Sequence, residues 1–114
     1  MKKINIIKKN DEYNRIINNI KPFKTKEFLI FLEEKEGIYQ FGFSVSKKIG
    51  KAVVRNKIKR QIKNILDKNI YEKSFNCIIM VRRGYLDSSF SDIEKSLNYS
   101  LSKLKMIKEN KSEK

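Results

Sequence analysis

The sequence predicts a single small α+β domain, an α/β sandwich in which one sheet is covered by helices. Three observations carry that prediction. The chain has 114 residues, enough for one hydrophobic core and too few for two. Two short runs, Glu27 to Leu32 and Phe75 to Val81, are apolar, of strand length and rich in aromatic or β-branched residues. Three other stretches repeat apolar residues at helical spacing. The resulting order is α-β-β-(β)-α-β-α.

Asn10 to Ile20 opens with Asn10 or Asp11 as the cap and carries Tyr13, Ile16, Ile17 and Ile20 at i, i+3, i+4, i+7, the pattern of a short amphipathic helix. Pro22 ends it, because the residue before a proline is pushed out of helical geometry. Glu27 to Leu32 reads as a strand, Glu33 to Gly37 as a charged turn, and Ile38 to Val45 as the returning arm of an antiparallel pair. Within that arm Phe43 and Val45 alternate with Gly42 and Ser44, so one face is buried. Lys47 and Lys48 lead to Gly50, which permits a tight turn or a close approach of backbone.

From about Lys51 the period becomes helical, and Val54, Ile58, Ile62, Ile65 and Leu66 share one stripe. Tyr71 to Asn76 is a connection. It leads into Phe75 to Val81, the most continuous apolar run in the chain, which predicts a central strand buried on both faces. Arg82-Arg83-Gly84 closes that strand with exposed charge. Ser89 or Ser91 caps a last helix whose apolar stripe is Ile93, Leu97, Leu101 and Leu104. The domain is expected to span residues 1–107, and the polar composition of 108–114 predicts a disordered tail.

The formal charge of +14 and the isoelectric point near 9.9 make nucleic acid the leading partner class, ahead of an anionic membrane surface. Heavy use of Lys, Asn and Ile throughout the chain accounts for part of the lysine excess, but not for its placement. Lys47, Lys48, Lys51, Arg55, Lys57, Lys59, Arg60 and Lys63 are crowded together, and no acid stands between Glu36 and Asp67. A solvated helix ordinarily mixes Glu with Lys at i,i+4 spacing, whereas this one omits acids for about four turns. One face is core and the other cationic, so a long polyanion is the natural partner. Asn56 is a poor interior helix former whose amide suits RNA edges or phosphates as well as a local backbone cap.

Residues Lys47 to Arg60 read Lys-Lys-Ile-Gly-Lys-Ala-Val-Val-Arg-Asn-Lys-Ile-Lys-Arg. This resembles the signature of the bacterial ribonuclease P protein family, a Gly-x-Ala-Val-x-Arg-Asn-x-x-Lys-Arg core that opens an RNA-binding helix. The resemblance implies a mostly antiparallel sheet with a left-handed crossover at the basic helix, although crossovers are right-handed in nearly all folds. It implies a ribonucleoprotein that removes the 5′ leader of precursor tRNA by phosphodiester hydrolysis. The partners would be the ribonuclease P RNA and the precursor tRNA, and the cleavage would be carried by the RNA subunit with Mg²⁺ bound mainly to that RNA.

On the same resemblance, Lys47, Lys48, Lys51, Arg55, Asn56, Lys57, Lys59, Arg60 and Lys63 form the RNA-binding set. Lys51 replaces a common asparagine, while Lys57 and Lys63 replace common arginines, keeping the charge but losing the bidentate guanidinium fork. Tyr13 and Phe31 match aromatic positions of the cleft that holds the single-stranded leader, and Ile17 stands where the family often has phenylalanine. Phe28 is expected in the core.

Catalytic residues are not expected in the polypeptide. It has no histidine, and Asp11-Glu12, Glu33-Glu34-Glu36, Asp67, Asp87 and Asp92 are scattered in sequence. The single cysteine, Cys77, can form no internal disulfide, is expected to be inert packing, and leaves no zinc site. No apolar run is long enough to span a bilayer and Met1 to Lys9 lacks the core of a secretory signal, so the expectation is a cytoplasmic chain with no membrane role and no obligate protein partner. The alternative is a structural RNA-binding protein of the ribosomal type, which has no reason to sense leader length.

Overall fold

A largely apolar strand needs a neighbour on each edge and cover on each side. The computed structural model, which describes residues 1–107, gives Phe75–Val81 both. The helices are α1 (Asn10–Asn19), α2 (Ala52–Asp67) and α3 (Phe90–Lys103), and the strands are β1 (Phe23–Lys24), β2 (Phe28–Glu34), β3 (Gln40–Ser44) and β4 (Phe75–Val81). Short 3-10 turns precede α1 at Lys3–Asn5 and α3 at Arg83–Asp87. The strands form one mixed four-stranded sheet in the order β1-β2-β4-β3, so β4 is interior. The pairs β1–β2 and β2–β4 are antiparallel, and β3–β4 is parallel. This is the expected α+β sandwich, and the tail expected at 108–114 lies outside the described residues.

The two faces of the sheet follow from the strand alternation. Phe28, Ile30, Phe41, Phe75, Cys77, Ile79 and Val81 point to one side, where they meet Ile58, Ile62, Ile65 and Leu66 of α2 and Ile93, Leu97 and Leu101 of α3 in the main core. Phe41 stands at the centre of an aromatic group with Tyr39, Tyr71 and Phe75. On the opposite side a smaller cluster joins Ile7, Ile16, Phe31 and Ile78 beneath α1. With ten residues, α1 is too short to cover a whole sheet face.

Several boundaries and pairings differ from the sequence reading. Ile38 to Val45 does not return as a hairpin partner of the strand before it. It runs antiparallel to β2 in direction, but β4 is inserted between them, paired along its length with β2 on one edge and with β3 on the other. The connection after β2 crosses the start of β4, where Lys35 N donates to Ser74 O at 3.3 Å and Ser74 Oγ donates to Gly37 O. Glu33 and Glu34 belong to β2 and not to a turn, and Gly37 makes the bend with φ near 103°, a conformation open to glycine.

Neither Asn10 nor Asp11 caps α1. Ile7 N donates to Phe41 O at 2.8 Å, which pins the incoming chain, and the helix begins with Asn10 after Lys9 as its cap residue. Asp11 and Glu12 lie instead in its first turn, where acids favour the helix dipole. At α3 the expected Ser89 cap is present, its hydroxyl accepting from Asp92 N at 3.1 Å. Leu104 is only partly buried at the end of its stripe, and Val54 is exposed, so the α2 stripe becomes core only from Ile58 onward. Arg82 is half-buried and does not simply close a strand with exposed charge, since its guanidinium donates to Thr25 O at 2.6 Å.

Candidate nucleic-acid interface

The turn Ser46-Lys47-Lys48-Ile49 closes with Ile49 N donating to Ser46 O at 3.0 Å, and the buried Ile49 side chain anchors it. Lys47 and Lys48 are thereby held out in solvent. Gly50 follows with little room, because a Cβ there would stand 3.0 Å from Val54 Cγ1. The chain enters α2 at Lys51, whose side chain cannot accept from the first-turn N–H groups, and that turn contains no acid. Those amide donors and the positive end of the helix dipole therefore face solvent among lysines, an arrangement that favours an anion.

Along α2, Asn56, Lys57 and Arg60 are exposed, while Arg55, Lys59 and Lys63 are half-buried. Lys63 leans over the Phe43 ring, its Nζ 5.6 Å from the centroid. Four ion pairs occur among the described residues: the Met1 amino group with Asp67, Arg15 with Glu33, Lys68 with Glu94 and Lys73 with Glu34. None of them uses any of the eight cations between Lys47 and Lys63. Among the described residues no ion pair neutralises this surface, which stays strongly cationic.

The second candidate surface lies across the β3 edge, on the α1 side of the sheet. Gly42 has no side chain to occupy the space above β3, and the Tyr13 ring fills it, with Cε2 only 2.9 Å from where a Cβ would stand. Burial holds the Tyr13 hydroxyl above its ordinary pKa, an effect the Ser44 side chain partly offsets. Ser44 completes no hydrogen bond with it, and this buried hydroxyl has no protein partner among the described residues. Phe31 is 4% exposed, so it serves as the floor on which α1 rests. Tyr13 and Ile17 stand at the rim, half-buried.

The sequence reading missed the open part of this cleft. Beside the row covered by α1, the next row across the sheet is Lys24, Leu29, Met80 and Ser44, which the strand registers place side by side. Leu29, Met80 and Ser44 are half-buried and Lys24 is exposed. Two-residue alternation from Phe31 to Leu29 and from Ile78 to Met80 was the available signal. This row ends at Ser44, immediately before the Lys47-Lys48 turn, so the open cleft and the cationic face of α2 meet around the end of β3.

The far end of the cleft is closed by a polar cluster. Arg15 donates to both oxygens of Glu33, and the buried Asn76 amide donates to Glu12 Oε1 at 2.6 Å and to Glu33 Oε1 at 3.2 Å. The Arg15 hydrogen bond, helped by Asn76, holds the Glu33 carboxyl below the usual range against partial desolvation. Cys77 is fully buried and burial drives its thiol pKa far up, so it carries no thiolate chemistry. The described residues bring together no group of three His, Cys, Asp or Glu side chains that would hold a metal ion, and none of their helices is long and apolar enough to cross a membrane.

The family model described as Ribonuclease P matches residues 1–105 of the chain. The ribonuclease P protein component of Mycoplasma capricolum subsp. capricolum is 44% identical over 113 residues, covering 96% of this chain and 98% of that protein. The corresponding protein of Bacillus mycoides is 37% identical over 101 residues, covering 85% of this chain and 88% of its own length. Among solved structures, the Staphylococcus aureus RNase P protein superposes with a TM-score of 0.81 at 30% identity, over 91% of this chain and 98% of that one. The Thermotoga maritima RNase P protein shares the fold, with a TM-score of 0.76 at 22% identity over 85% of this chain and 94% of its own.

Proposed function

The chain belongs to the ribonuclease P protein family, and from that premise we propose that it binds the catalytic RNA of the ribonucleoprotein and the 5′ leader of precursor tRNA. The observation that carries this reading is the set of eight cations between Lys47 and Lys63, none of them in an ion pair among the described residues. Lys47, Lys48, Lys51, Arg55, Lys57, Lys59, Arg60 and Lys63 neutralise phosphates, chiefly of the RNA subunit. Asn56 adds a neutral amide donor and acceptor on the same face. Tyr13 and Ile17, supported by Phe31 beneath them, hold the leader by stacking and apolar contact. Leu29 and Met80 continue that surface.

In this reading the cleavage belongs to the RNA subunit and its Mg²⁺. The protein lowers repulsion between RNA strands, so that Mg²⁺ and substrate bind at lower concentration. The test is reconstitution with bacterial ribonuclease P RNA on precursor tRNA at low Mg²⁺. Cleavage is expected with the wild-type protein, with strong loss for Arg55→Ala/Arg60→Ala and none for the protein alone. Failure to rescue at any Mg²⁺ concentration, together with tight binding to unrelated structured RNA, would overturn it in favour of a ribosomal-type scaffold.

A further inference from the structure

The flank of α2 that faces the segment leading into α3 carries apolar surface that the core does not use. Val54 is 39% exposed, Leu86 51% and Phe90 42%. They border a groove of about 230 Å³ between α2 and the segment leading into α3, floored by the buried Ile58 and Ile93. That volume is below the range typical of drug-sized ligands, which suits one ring system. Its polar lining is sparse but directed. The Tyr85 hydroxyl donates to Gln61 Oε1 at 2.6 Å, which fixes the Gln61 side chain and leaves its amide nitrogen to donate elsewhere. Burial pushes the Tyr85 pKa up to about 12, so the hydroxyl stays a donor.

Lys57 also lines the groove and stands on the same helix as Arg60, one turn away and exposed. The groove is thus continuous with the cationic face, and a ligand that enters it has its backbone within the field of those charges. A second copy of this strongly basic chain would bring like charge to the same place. We propose that this groove accepts one unstacked nucleobase of the RNA whose phosphates lie along α2. The base stacks against Phe90, Gln61 donates to an acceptor on its edge, and Lys57 meets its phosphate. The inference rests on RNA binding by α2 and adds to it a site for a base outside the leader cleft.

The test exploits the absence of tryptophan from the chain. Phe90→Trp places a single indole in the groove of the full-length protein. It is titrated with a hairpin RNA carrying a single-nucleotide bulge, and with the same hairpin carrying an abasic bulge. Both should bind through phosphates, but only the base-bearing bulge should quench the indole at saturation. Phe90→Ala should weaken the base-bearing hairpin roughly five- to a hundredfold and the abasic one little. Equal emission changes with both RNAs would overturn the proposal, as would a change that depends on protein concentration without RNA, which would mark self-association. Failure of both hairpins to bind would overturn the RNA-binding reading of α2 itself.

Discussion

Gly42→Ala tests the proposed leader cleft apart from the rest of the protein more cleanly than removal of any side chain. The added Cβ would stand 2.9 Å from Tyr13 Cε2, 3.2 Å from Cδ2 and 3.3 Å from Ile78 Cγ1. Ordinary carbon contacts lie near 3.5–4.0 Å, so the ring must withdraw by roughly 0.6–1 Å from its seat on β3. Overpacking costs about 1–3 kcal/mol. Because Tyr13 is half-buried at a helix rim and has room to yield, the lower end, ~1 kcal/mol, is expected in urea denaturation. A stacked base contributes about 1–3 kcal/mol, and a displaced ring should lose part of that. The assay compares holoenzyme affinity for long-leader and short-leader precursor tRNA. The long-to-short ratio should fall about three- to tenfold, with short-leader affinity unchanged. Measurable destabilisation with an unchanged ratio would show that the ring had moved without consequence, and would refute the assignment of the leader to this wall.

Three other outcomes follow from the same geometry. Gly84→Ala would place a Cβ 2.3 Å from Lys26 O, a backbone atom that cannot swing aside, so a loss of roughly 3 kcal/mol or more is expected in urea melts; a loss under about 1 kcal/mol would contradict this packing. Lys59→Ala/Arg60→Ala should reduce the slope of log affinity against log salt by about 1.4–1.8 for ribonuclease P RNA, and an unchanged slope would remove these cations from the phosphate contacts. The Glu33 pKa is lowered on folding, so its ionised form contributes stability above the unfolded value, near 4.3, and that contribution is lost as pH falls through the folded value. Wild type and Glu33→Gln should therefore differ in stability near neutral pH and converge in acid, and a constant difference across that range would refute the Arg15 pairing as its source.

Local periodicity captured what neighbouring residues decide. The stripes Ile58, Ile62, Ile65, Leu66 and Ile93, Leu97, Leu101 are core in the structure, and β4 is the interior strand that the most continuous apolar run predicted. Pairing is a long-range matter, and there adjacency misled. Two strands joined by a short charged connection read as a hairpin, but β4 competes for both edges with seven apolar-rich residues and wins them. Phe23–Lys24 is too short for alternation to reveal a strand. The cationic face needed no tertiary information, since missing acids are visible in one dimension. The Val54–Leu86–Phe90 groove was hidden because its walls come from segments about thirty residues apart and each residue alone looks like ordinary surface apolar content.

The unexpected parallel pair explains why one helix can serve the core and still present a cationic outer face. Adjacent parallel strands cannot be joined by a tight turn, so the chain must travel back along the sheet, most economically as a helix. Here that helix is α2, and the crossover from β3 to β4 requires its apolar stripe on the sheet while leaving the outward face unconstrained. The same insertion widens the opposite face. With β4 between β2 and β3, the open row Leu29, Met80, Ser44 spans two interstrand steps, about 9–10 Å, where a β2–β3 hairpin would span one. That width would fit the proposed single-stranded leader lying flat, and the floor of the groove ends just before the turn that carries Lys47 and Lys48. The placement of β4 therefore sets both the width of the cleft and the position of the cations beside it.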